Sequence, residues 1–91
     1  PLYPFQYATD AEAIRRDIEK IERSLLIERQ CLWGAMRDRQ RNPNAGLHHV
    51  IRRHRRNIER QQSYIRNGEA RLRELVKNAI RLVVNNTRKA A

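Results

Sequence analysis

The stretch "RNPNAG", Arg41–Gly46, decides how this chain folds. Pro43 lacks a backbone N–H and pushes Asn42 out of helical geometry. Asn42 suits a cap, Pro43 suits the first position of a new helix, and Asn44 and Gly46 add flexibility. A helical pattern therefore ends near Arg41 and a second begins near Leu47. So short a connection between two long helices implies an antiparallel hairpin.

Reading back from the turn, apolar residues recur at 11, 14, 18, 21, 25, 32 and 35. The steps alternate three and four, which is a heptad seam, with Glu28 filling one position. Thr9 stands three residues before Glu12, the capping-box spacing, so the first helix is expected over residues 9–41. Reading forward, the second seam is Leu47, Ile51, His54, Ile58, Gln61, Ile65, Gly68, Leu72, Leu75, Ala79 and Leu82. Asn67-Gly68 is a turn-like dipeptide. The heptad phase nevertheless passes through it unshifted, so one helix over 47–87 is expected, with Gly68 admitting a close approach. A three-helix arrangement broken at Asn67-Gly68 is the alternative. Residues 88–91 read as a tail.

The second helix outruns the first, and its end is apolar on more than one side. The opening "PLYPFQYA", residues 1–8, reads as an extended aromatic segment that folds across this overhang and covers it. The expected fold is thus all-α, one domain over 1–91. It is a hairpin with a coiled-coil-like seam, pairing with a second copy into a four-helix bundle.

Composition agrees with a rod. Apolar residues make up 40 %, aromatics only 5 % and charged residues 33 % of the chain. That balance supplies a narrow seam better than a thick core. A single cysteine excludes an intrachain disulfide framework and is simplest in a reducing, intracellular setting. No stretch has the length of apolar sequence a membrane span needs, and no membrane partner is expected.

The formal charge of +10 is unevenly spread. Residues 1–42 hold 8 basic and 7 acidic side chains, residues 43–91 hold 12 and 3. Arginine leads lysine 17 to 3, and its planar fork suits phosphate or carboxylate. The densest run is "HHVIRRHRR", His48–Arg56, and no acid occurs from Arg39 through Ile58. A hairpin gathers Arg37, Arg39, Arg41, Arg52, Arg53, Arg55, Arg56 and Arg60 toward one end. Cations at a helix N-terminus oppose its dipole, and like charges three or four apart repel. A dense polyanion relieves both, so these eight arginines are the candidate nucleic-acid-binding residues, for DNA or RNA.

Leu26, Ile27, Trp33 and Met36 fall outside the first seam and form a candidate protein interface. They suit a homodimer or a folded partner with an acidic surface, as in an adaptor, assembly factor or inhibitor. The histidines lack the i, i+4 spacing of a helical metal site, so no metal is expected. His54 is expected in a polar seam layer with Gln61 and Glu28, with Glu28 facing Ile58 to Gln61. No nucleophile, base and orienting group occur together, and glycines are too few for a phosphate-cradling loop. The chain reads as a non-enzyme with no cofactor and no small-molecule substrate.

Overall fold

The computed structural model describes residues 2–90. Pro1 and Ala91, at the outer edges of the expected N-terminal segment and tail, lie outside the described residues. Two helices, α1 (Ala11–Arg41) and α2 (His48–Ala90), pack as an antiparallel hairpin. The molecule measures 74 × 20 × 15 Å, with a radius of gyration of 20.0 Å. A compact chain of this length has a radius of about 12 Å, so the shape is a rod.

The α1 seam is as the spacing reads. Ile14, Ile18, Leu25 and Ala35 are buried, and Ala11, Ile21, Glu28 and Leu32 are half-buried between them. Its cap differs by one residue. Asp10, in extended geometry, is the N-cap, and its Oδ1 accepts from the Glu12 and Ala13 amides at 3.0 and 3.3 Å. The Thr9–Glu12 box is not the cap. A carboxylate reaches two orphan amides at once and also favours the positive end of the dipole.

At the other end the Asn42 N–H bonds the Asp38 carbonyl, and the Ala45 N–H bonds the Asn42 carbonyl at 3.1 Å. Pro43 thus sits at the second position of a β-turn, where its fixed φ is favourable. It does not open α2, which begins at His48. Gly46 has φ 69°, a left-handed conformation that costs glycine little.

Helix α2 runs unbroken through Asn67-Gly68 and on to Ala90, past the expected end at Thr87. Gly68 is buried against α1, and a Cβ there would lie 2.8 Å from Ile18 Cγ1 and 3.1 Å from Phe5 Cε2. The missing side chain lets helix and N-terminal segment meet, which supersedes the three-helix alternative.

The N-terminal segment is not extended. The Phe5 N–H bonds the Leu2 carbonyl and the Ala8 N–H bonds the Phe5 carbonyl, coiling the segment into two consecutive turns. Phe5 is 5 % exposed and joins Ile14 and Ile18 in the core, against Ala8, Ile21, Ile65, Leu72 and Leu75. Asn67 Nδ2 donates to the Tyr3 carbonyl, and Arg71 Nε donates to the Ala8 carbonyl at 2.7 Å. The core cluster that the segment joins reaches along α2 as far as Leu75. Val76, Ile80, Leu82, Val83 and Val84 stay exposed, contrary to the expected cover. Tyr3 and Tyr7 also face outward. No helix among the described residues is long and apolar enough to cross a membrane.

Candidate functional site at the hairpin end

The turn folds the last turns of α1 beside the first turns of α2. Arg37, Arg39 and Arg41 come from the first helix, and Arg52, Arg53, Arg55, Arg56 and Arg60 from the second. All eight are exposed. At 1.5 Å per residue they lie within about 20 Å of the turn, measured along the rod. The structure therefore brings together the arginines that the sequence singles out. Among the described residues the ion pairs are His54–Glu28 and Arg71–Glu74, and neither involves one of these eight. Arg60 is held by a neutral partner, donating to Asn57 Oδ1.

The start of α2 adds positive potential. The first turn of α2 has no acidic residue. Leu47, whose carbonyl accepts the first helical bond from the Ile51 N–H, cannot cap with its apolar side chain. The dipole of α2 thus points its positive end toward the arginines without a local counter-charge. His48 and His49 lie side by side there, ring centroids 3.9 Å apart. No group of three or more potential metal ligands occurs among the described residues.

Beneath this end lies the polar layer. Glu28 Oε1 meets His54 Nδ1 at 2.7 Å and accepts from Asn57 Nδ2 at 2.9 Å. Glu28 therefore faces His54 and Asn57, about one turn nearer the hairpin than the expected Ile58–Gln61. Gln61 bonds Ser24 Oγ instead, at 2.9 Å. The carboxylate goes to the donors: His54 and Asn57 are three residues apart on one face, and Ile58 offers none. Asn57 and Ser24 are members of this layer that heptad counting misses, because neither occupies a strict seam position.

The His54 hydrogen bond, and then that of Asn57, holds the Glu28 carboxyl below its usual 4.5, with the charge of nearby Arg53 adding and partial burial opposing. A carboxyl depressed by folding stabilises the native state above its unfolded value, and the contribution is lost as pH falls through the depressed folded value. Glu28→Gln should therefore lower the urea midpoint at neutral pH. The gap between wild type and variant should close on acidification below 4.5. A gap that stays constant with pH would mean that the layer acts through packing alone.

The α1 stripe is exposed as well. Trp33 is 78 % accessible, with Leu26 at 57 % and Ile27 at 60 %, whereas Met36 is half-buried. Shallow grooves flank the indole, one lined by Leu26, Arg29 and Gln30, the other by Met36, Arg37 and Gln40. Cys31 is exposed on the same helix.

Compared with protein-family models, curated proteins and solved structures, the chain matches none.

Arg71 does not point away from the fold. Its side chain is largely buried and ties the N-terminal segment to α2 while pairing with Glu74 at 3.1 Å. Nothing in the heptad pattern signals this, because the partner is a backbone carbonyl in the N-terminal segment.

Proposed function

We propose that the hairpin end binds nucleic acid through phosphate contacts. The observation that carries this reading is the cluster of eight exposed arginines at one tip of a rod, without a carboxylate partner among the described residues. Such a cluster repels itself, and a polyanion removes the repulsion. The narrow tip, about two helices wide, fits along a phosphate backbone. Affinity then comes from counterion release, and sequence preference is weak. The test is retention of the purified chain on duplex DNA and on RNA across a salt series. Retention should fall steeply with salt, and no retention at low salt would overturn the reading.

A second reading rests on Trp33. A largely exposed indole between two shallow grooves, with arginines beside it, has the composition of a protein contact. In that reading a folded partner seats on Leu26 and Trp33, and its acidic side chains meet the surface arginines. From nuclease-treated lysate, such a partner is retained by the wild-type chain and by the Arg52, Arg53, Arg56→Gln variant, and lost with Trp33→Glu. Equal recovery with Trp33→Glu would discard it.

A further inference from the structure

The seam of α2 does not stop where its partner stops. Helix α1 begins at Ala11, and the coiled N-terminal segment covers α2 only as far as Leu75. Beyond it Ala79 and Leu82 continue the same heptad phase, and Val76, Ile80 and Val83 form a parallel row beside them, all exposed. The backbone remains helical through Ala90. Arg81, Asn85 and Arg88 fall on the opposite side of the helix. The last four turns of α2 are thus a coiled-coil strand whose apolar row continues the hairpin seam and lacks the second helix.

We propose that a second copy of this chain supplies that helix. The two overhangs pair antiparallel about a twofold axis beside Ile80 and Val83. Continuity with the hairpin seam says that the occupant is a helix, running antiparallel to α2. Symmetry says which helix. An isologous contact uses the same patch from both copies and closes on itself, so two identical vacant faces are covered at once. With the axis there, Ile80 of each copy lies near Val83 of the other, and Val76 near Thr87. Arg81 and Arg88 remain outside the contact, in solvent, so their like charges are not forced together. The dimer joins two hairpins tail to tail and carries the arginine ends to opposite tips of a rod roughly 120 Å long. This pairing is an alternative to the four-helix bundle expected from the α1 stripe.

The inference is independent of what the arginines bind, because every residue it uses lies at the far end of α2. Sedimentation equilibrium of the full chain should show a reversible dimer. Val83→Glu should weaken it by about tenfold or more, a loss of roughly 1.4 kcal/mol at least. Trp33→Glu should leave it intact. Both positions are exposed, so neither change disturbs the hairpin core. A second measurement fixes the geometry. With Cys31→Ser, a mixture of Ile80→Cys and Val83→Cys chains should close an interchain disulfide between the two variants on mild oxidation, and Arg81→Cys should not. A chain that stays monomeric at every concentration overturns the proposal, as does a dimer lost with Trp33→Glu but not with Val83→Glu. A monomer that sediments with anionic lipid vesicles also overturns it, and assigns the face to a lipid surface.

Discussion

Replacing Arg52, Arg53 and Arg56 together with Gln should weaken nucleic-acid binding and flatten its dependence on salt. If about five arginines of the hairpin end reach one duplex backbone, log K falls against log salt with a slope near −4.5. A fourfold rise in salt then costs about 500-fold in affinity. Removing three of the contacts should bring the slope to about −2. The fold should persist, because all three side chains are exposed and free of ion pairs among the described residues. The control set is Arg73 and Arg81, exposed and far down α2. Arg71 is unsuitable, since its loss would free the N-terminal segment. Electrophoretic mobility or anisotropy titrations at several salt concentrations would measure both variants. Equal losses from the near and far sets would mean that the charge acts as a diffuse field, and the Trp33 reading would then lead.

The second large effect is on stability. Phe5 is 5 % exposed, the one large aromatic in the core cluster, and it lies against Ile14, Ile18 and Gly68. Phe5→Ala should destabilise the hairpin by about 3 kcal/mol, the low end for a buried phenylalanine, because the site lies near the end of the rod. Gly68→Leu attacks the same junction from the other side. Its Cβ alone would lie 2.8 Å from Ile18, so a larger side chain must push α1 or the N-terminal segment away. A cost of about 2 kcal/mol is expected, offset in part by leucine's better helix propensity. Chemical denaturation followed by circular dichroism would measure both. Each variant should also expose the Tyr3–Ala8 turns to limited proteolysis while α2 remains helical. A Phe5→Ala chain as stable as wild type would mean that the segment is an accessory to the rod.

How much of this was legible in the sequence depends on the range of the interaction. The α1 seam was, because a helix repeats its buried face at fixed spacing and every one of those positions is covered. Continuity through Gly68 was, because an unbroken phase is a property of one helix. The cap was missed by one residue, since Thr9-Asp10 offers two capping side chains in a row and only geometry chooses between them. His54 was expected in one layer with Glu28 and is there, but the stretch facing Glu28 lies about one turn nearer the hairpin than Ile58–Gln61. Heptad counting assigns facing positions, but a carboxylate selects among neighbours by their hydrogen-bond donors. The role of Arg71 and the docking of residues 2–8 on α2 depend on contacts between segments some sixty residues apart, and no local pattern encodes those. The arginine cluster was legible as composition. Its lack of partners became visible only once α1 and α2 lay side by side.

The uncovered end of α2 also sets how that end melts. A free peptide of this length must first form a costly nucleus before helix can spread, and in water it is marginal. Here the nucleus is the packed stretch ahead of Leu75, so the last four turns grow from a template. They should therefore lengthen or shorten residue by residue, without a cooperative step. The rod should show a sharp thermal transition over its packed length and a gradual one at its tip, where a partner helix would meet a strand already in its bound shape.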